Sequence, residues 1–277
     1  MNKEIVVVIG AGGIGLAIAR RQGFGKTVVL ADYNEAALNA AAETMRANAY
    51  EVVTQVVDVS SRDSVRALAQ ACAARGKVMQ LINAAGVSPN MASVAKILEV
   101  DLYGTALVFE EFGKVIAEGG AGLIVSSAAG HMMGALTAEE DHALSFTPTD
   151  ELLSLPFLQE DVIRNSTKAY MMSKRANHLR VVAEAIPWGR RGARVNAISP
   201  GFIATPMGQI ELQSKDGDRY RAKIAASPAG RMATPDEIAI AAAFLLGPDA
   251  AFVTGSDLLI DGGGVSTMRA GIVPTPG

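Results

Sequence analysis

Tyr170 and Lys174 stand four residues apart in the run Tyr-Met-Met-Ser-Lys, and far upstream the chain carries the glycine-rich stretch Gly10-Ala11-Gly12-Gly13-Ile14-Gly15. On a helix, positions four apart share one face, so the phenol and the ammonium project together. A free tyrosine, with a pKa of roughly 10, is a poor base near neutrality. A neighbouring ammonium favours the phenolate and draws that value toward the working pH, which lets Tyr170 take a proton from an alcohol or return one to a carbonyl. Ser127 closes the run Leu123-Ile124-Val125-Ser126-Ser127 and can donate to a substrate oxygen as charge develops there; Ser126 competes for that role.

The glycines supply the other half of the chemistry. Gly10, Gly12 and Gly15 follow the apolar run 5–9 and open a helical run, with Gly13 and Ile14 in the same turn. In that arrangement a tight turn and close backbone approach seat a pyrophosphate on the N–H groups of a helix N-terminus. Asp32 ends the next apolar run, 22 residues after Gly10, where a carboxylate hydrogen-bonds the adenine ribose hydroxyls. Its charge repels a 2′-phosphate and neither Tyr33 nor Asn34 compensates, which favours NAD; Arg20 and Arg21 keep NADP as the alternative. A dinucleotide site joined to a proton-transfer pair is the minimum equipment for hydride exchange between a nicotinamide and a carbonyl. The positive ring of the bound cofactor adds to the pull on the Tyr170 proton.

These groups need elements to position them. Apolar runs at Ile5–Ile9, Thr27–Leu30, Glu51–Val57, Val78–Ile82, Gly122–Ser126, Arg194–Ile198 and Leu258–Ile260 read as strands, and most are separated by segments of helical periodicity. The alternation predicts an α/β fold: one doubly wound, mainly seven-stranded parallel sheet flanked by helices. No repeat or linker divides the chain, so residues 1–277 are expected to form one domain. Two stretches break the rhythm, about 131–165 and about 205–231, and long connections over strand carboxyl ends commonly shape substrate pockets or lids. The tail from Val265 to Gly277, with Pro274 and Pro276, is expected to be disordered or to lie on a neighbouring subunit.

Composition narrows the setting. A net charge of -3 gives no footprint for nucleic acid or an anionic membrane surface. The single cysteine, Cys72, excludes an internal disulfide and reads as a core residue. The N-terminal residues do not resemble a signal peptide, and no apolar run approaches the roughly 20 residues a bilayer span needs. A cytoplasmic enzyme is expected. With three histidines in the chain and no cysteine near His131 or His142, no metal is expected.

Across nearly its whole length the chain resembles the short-chain dehydrogenase/reductase family. The resemblance rests on the glycine turn, Asp58-Val59, Asn83-Ala84-Ala85-Gly86, Ser127 three residues before Gly130, Tyr170-x-x-x-Lys174, Pro200-Gly201 with Thr205-Pro206, and the runs from Arg231 and Phe252. It implies a Rossmann-type domain in which Tyr170 is the acid and base, Lys174 also holds the nicotinamide ribose, and Ser127 orients the carbonyl. Asp58, Val59, Asn83, Ala84, Ala85 and Gly86 would line the adenine side and strand end. Pro200, Gly201, Ile203 and Thr205 would line the nicotinamide, and residues 205–231 would form a substrate loop. It also implies a homodimer or homotetramer acting on a small alcohol or ketone.

Three departures stand out. The glycine turn is one residue short of the family's usual form, Ala84 replaces an asparagine, and Asp101 stands where the family has an asparagine leading by a water to the lysine. A carboxylate there keeps its acceptors, loses the amide donors, and is expected to tighten the hold on Lys174 or raise its pKa. The 42 residues between Ser127 and Tyr170 mark an insertion beside the active site, able to wall in a bulky apolar substrate or to alter subunit contacts. Met171, Met172 and Met207 suit an adaptable apolar pocket, and equally a core. The expected function is interconversion of a hydrophobic secondary alcohol and its ketone with NAD. The alternatives are an NADP-linked carbonyl reductase and a non-catalytic dinucleotide sensor on the same fold.

Overall fold

The structure is a computed structural model that describes residues 3–272. Seven strands, β1 (Glu4–Ile9), β2 (Thr27–Asp32), β3 (Glu51–Val56), β4 (Lys77–Asn83), β5 (Ile116–Val125), β6 (Arg194–Pro200) and β7 (Asp257–Ile260), form one parallel sheet ordered β3-β2-β1-β4-β5-β6-β7. Helices α1 (Gly13–Gln22), α2 (Glu35–Ala47) and α3 (Arg62–Arg75) join the first four strands. The chain reaches β5 through α4 (Val94–Ile97), a π-helical segment (Leu98–Gly104) and α5 (Thr105–Gly113). It then passes through α6 (Ala129–Met132), α7 (Ala138–Phe146), α8 (Glu160–Ile163) and the long α9 (Ser166–Arg190) to β6. Helices α10 (Pro206–Gln213), α11 (Gly217–Ala226) and α12 (Pro235–Leu246) precede β7, and α13 (Gly264–Arg269) follows it.

Strand side chains alternate between faces, and both faces of this sheet are covered. Ile5, Val7 and Ile9 of β1 pack with Val65 and Leu68 of α3, Phe112 of α5 and Trp188 of α9. Val6 and Val8 pack on the other side with Ile18 of α1, Leu38 of α2 and Ile238 of α12. That double burial is why the strands read as unbroken apolar runs. Cys72 lies in the first core, where burial pushes its thiol up to about 12 and leaves it chemically quiet.

Three regions differ from the sequence expectation. β5 begins at Ile116, because Ile116 pairs with Val78 before a register shift that a Gly-rich stretch absorbs. The stretch 131–165 is largely folded: Thr137 and Glu140 cap α7 reciprocally, two 3₁₀ turns follow, and Leu144, Leu152, Leu158 and Ile163 form a third core with Ile97, Leu102, Ala169 and Met172. Met172 is therefore a core residue. The tail is not wholly irregular, since Asp261 accepts the Gly263 and Val265 N–H groups at 2.9 and 2.6 Å and starts α13, which buries Val265 and Met268. Residues 273–277, with Pro274 and Pro276, lie outside the described residues. No helix among the described residues is long and apolar enough to cross a membrane.

Candidate active site

The chain winds from β1 outward to β3 and then returns to β4, so a crevice opens where the carboxyl ends of β1 and β4 diverge. Gly10 leaves β1 at φ +93°, and a Cβ there would lie 2.6 Å from the Ala84 carbonyl carbon after β4. A Cβ at Gly15 would overlap the Gly10 carbonyl oxygen. Gly12 differs: it is the N-cap of α1 without a capping side chain, and a Cβ there meets nothing within 4 Å. The first-turn N–H groups of α1 thus have no side-chain acceptor and border open space, which fits a dinucleotide pyrophosphate.

Asp32 ends β2 beside this turn. Its Oδ2 accepts the Ala11 N–H at 2.7 Å and its Oδ1 the Asn34 N–H at 2.9 Å, so it braces the glycine turn and still has lone pairs for ribose hydroxyls. Asp58 accepts from the Ser60 N–H and hydroxyl at 2.9 and 2.6 Å, while Val59 packs buried next to Gly104. The Asn83 amide oxygen accepts the Ala85 N–H at 3.3 Å, and the Ala84 N–H bonds the Ile9 carbonyl at 2.7 Å. Pro200 ends β6, Gly201 bonds the Ile260 carbonyl at 2.9 Å, and Ile203 bridges Ala233. Thr205 caps α10, and its side chain stands where a Cβ on Gly13 would come within 2.8 Å. Ile14, in the first turn of α1, packs against the second core.

The chemical pair lies on α9. Lys174 Nζ is 3.6 Å from Asp101 Oδ2 and 5.3 Å from the Tyr170 ring centroid. Asp101 is 0% exposed, and its Oδ1 accepts the Val87 N–H at 2.9 Å. Gly86 makes room, since a Cβ there would press on Asp101 Oδ1 at 3.1 Å and Lys174 Nζ at 3.3 Å. Burial works against the Lys174 charge, but Asp101 and Tyr170 outweigh it and its pKa is raised. Burial raises that of Asp101, with Lys174 opposing.

Tyr170 departs from expectation. Among the groups this chain supplies, burial and the charges of Asp101 and Glu211 raise its pKa more than Lys174 and Ser127 lower it. The ammonium alone does not make the phenol a base, because burial opposes the phenolate and the Asp101 carboxylate cancels part of the ammonium's field. The two serines separate cleanly. Ser126 is buried and donates to the Lys174 carbonyl at 3.0 Å, whereas Ser127 is partly exposed and neighbours Tyr170.

Two features have no local sequence signal. Asp101 sits in the π-helical segment, whose wider turn carries it inward to Lys174. Across the crevice, Asn90 donates to Glu211 Oε2 of α10 at 2.8 Å, while Glu211 Oε1 is buried without a partner. The helices α10 and α11 that carry this contact bury only Gly217, so the stretch 205–231 is a lightly anchored helical cover.

Known proteins resemble this chain in sequence and fold. The short chain dehydrogenase family profile matches residues 4–139, and the profile described as enoyl-(acyl carrier protein) reductase matches residues 146–264. The short-chain dehydrogenase/reductase bsc3 of Alternaria brassicicola is 41% identical over 272 residues, covering 97% of this chain and 98% of its own. Galactitol 2-dehydrogenase (L-tagatose-forming) of Cereibacter sphaeroides is 33% identical over 273 residues, 95% of each chain. Among solved structures, a single-substitution variant of actinorhodin polyketide ketoreductase with NADPH is similar at 26% identity and TM-score 0.73, covering 94% of this chain and 97% of that one. Profile, relatives, sheet order and glycine cradle agree, and this chain belongs to the short-chain dehydrogenase/reductase family of NAD(P)-dependent oxidoreductases.

Proposed function

We propose that the protein interconverts a secondary alcohol and a ketone with NAD, Tyr170 serving as acid and base, Lys174 as its charged partner, Ser127 as donor to the substrate oxygen and Asp101 as the anchor of Lys174. The observation that carries this reading is the buried ammonium of Lys174, 3.6 Å from Asp101 and 5.3 Å from the Tyr170 ring centroid. A fixed cation beside the phenol stabilises the phenolate that alcohol oxidation needs. In the other direction the protonated phenol gives its hydrogen to the carbonyl oxygen, while the Ser127 hydroxyl donates to the same atom as negative charge builds. The chemistry the dinucleotide supplies when bound is hydride exchange with the substrate carbon. Tyr170→Phe tests this: NADH binding, followed by fluorescence, should persist while turnover falls by about 10²-fold or more. Unaltered turnover removes Tyr170 from the mechanism.

For the cofactor, the Asp32 carboxylate beside the glycine turn supports NAD. Arg20 and Arg21 lie exposed in the last turn of α1, at the end away from Asp32. The NADPH named with the similar ketoreductase keeps NADP as the second reading. Asp32→Ser should weaken NADH binding much more than NADPH binding, and equal losses would contradict the ribose contact.

For the substrate, the insertion spends most of its apolar side chains on the third core. Met133, Leu136 and Val87, partly buried against the same core as Tyr170, favour a hydrophobic alcohol. The unpartnered Glu211 Oε1 and the galactitol dehydrogenase relative favour a substrate with a second hydroxyl. Secondary alcohols graded by size and polarity, followed by NADH absorbance, separate the two. A homodimer or homotetramer fits the exposed Ile240 and Phe244 of α12 and the exposed Leu258 of the edge strand β7.

A further inference from the structure

Three elements distant in the chain meet at the free edge of the sheet: α6 brings His131, α9 brings His178 and β7 brings Asp257. His131 Nε2 lies 2.6 Å from Asp257 Oδ2, His178 Nε2 lies 3.8 Å from the same oxygen, and the two ring centroids are 4.4 Å apart. One donor atom from each residue falls within 4.8 Å of the other two. The approach depends on a glycine, since a Cβ on Gly130 would come within 2.6 Å of His178 Cε1.

We propose that His131, His178 and Asp257 bind one divalent transition-metal ion, with zinc the metal that this donor set suits best. Two imidazoles and a carboxylate are ordinary zinc ligands. A tetrahedral ion with bonds of about 2.1 Å spaces its donors about 3.4 Å apart. The two histidine–carboxylate separations, 2.6 and 3.8 Å, lie within an ångström of that spacing, and the two imidazole nitrogens lie within 4.8 Å of each other. The second carboxylate oxygen, Oδ1, accepts the Ser199 hydroxyl at 2.8 Å, which orients Asp257 as a ligand's outer partner does.

His178 is the buried member of the set. It is 7% exposed, and its Nε2, the ring nitrogen that faces Asp257, meets the Ser199 hydroxyl at 2.8 Å, a contact that the ion would replace. The His131 side chain, 20% exposed, gives an entry path and leaves a fourth position for water. The sequence leads one to expect no metal at His131 because its partners stand 47 and 126 residues further on. The ion would tie β7 and α6 to α9 one turn beyond Lys174, which assigns it a stabilising role separate from the dehydrogenase reading.

The competing arrangement is a hydrogen-bonded clip without an ion, with Ser199 and His131 both donating to Asp257. Untagged full-length protein, stripped with chelator and titrated with cobalt(II) and zinc, separates the two. The metal site predicts one cobalt per chain with visible absorption bands of a four- or five-coordinate site, displacement by zinc, and a melting temperature that rises with zinc. Asp257→Asn and His131→Ala should each weaken binding at least about 100-fold, with folding checked by circular dichroism. His142→Ala should leave binding unchanged. Absence of stoichiometric binding by the parent protein, or parental affinity in His131→Ala or Asp257→Asn, overturns the site and leaves the clip. Binding is read without turnover, so the result does not depend on the assignment of Tyr170.

Discussion

The Ser126 hydroxyl donates to the main-chain carbonyl of Lys174 at 3.0 Å, so the end of β5 grips α9 at the residue that carries the ammonium. Ser127, next in the chain, accepts the Ala129 N–H at 3.1 Å and remains partly exposed at the crevice. Substitution should separate a support from a participant. Ser126→Ala should cost about 1 kcal/mol of stability with a modest change in kcat. Ser127→Ala should leave the melting temperature near that of the parent and lower kcat on the order of 10²-fold. Thermal melts and NADH-monitored kinetics on both variants check this, and equal kcat losses would contradict it.

Gly12 and Gly15 make a second contrasting pair. Alanine at Gly15 overlaps the Gly10 backbone and should cost about 3 kcal/mol or more, with cofactor binding lost alongside. Alanine at Gly12, where φ is -84° and a Cβ meets nothing within 4 Å, should change stability by less than about 0.5 kcal/mol. It should nevertheless weaken NADH binding roughly ten-fold or more, because the methyl enters the space kept for pyrophosphate. Chemical denaturation and NADH titration of each variant provide the check.

Asp101 carries the pH prediction. Its negative charge raises the pKa of both Tyr170 and Lys174, so Asp101→Asn should lower both. In the proposed mechanism alcohol oxidation rises with pH as Tyr170 deprotonates, and that limb should move to lower pH in the variant. Ketone reduction needs the protonated phenol and should fail at lower pH than in the parent. Profiles of kcat/KM against pH in both directions test the sign; curves that overlay those of the parent would reject the argument.

Arg62 of α3 joins Glu110 and Glu111 of α5, at 2.8 and 2.9 Å, to Asp150 of the insertion at 2.9 Å. Arg62→Ala should cost about 1 to 2 kcal/mol, more than an exposed pair because Glu111 is 3% exposed, and less than a fully buried one because Lys114 and Arg66 still reach it. Burial alone would raise the Glu110 pKa, but hydrogen bonds from Arg62 and Lys114 hold it at about 2. The folded value lies below the ordinary 4.5, so this contribution is complete above pH 4.5 and lost as pH falls toward 2. Denaturant melts across that window should show a shallower acid decline in Arg62→Ala.

The parts legible in the sequence are those whose cause is local. β1 and β2 announce themselves because burial on both faces demands continuous Val, Ile and Leu, and Tyr170 and Lys174 meet because helix geometry places positions four apart together. β5 is legible only from Gly122, since Ala117 to Gly120 carries no strand pattern and Gly119 has φ +76°. The inward turn of Asp101 depends on hydrogen bonds to the fifth residue along, which leave no apolar period to read. The contacts of Asn90 with Glu211 and of His131 with Asp257 join residues 121 and 126 positions apart, and only the folded sheet brings them together.

The widened winding at Leu98–Gly104 makes this enzyme sensitive to length as well as to composition. Loss of one residue there removes what the wide turn accommodates, so the winding reverts to about 3.6 residues per turn and the side chains within the segment point in new directions. The present 3.6 Å approach of Asp101 to Lys174 depends on that winding, although every side chain around the crevice would keep its chemical identity. A single missing codon, in a stretch that a motif search would score as harmless, would thus alter how the buried ammonium is held.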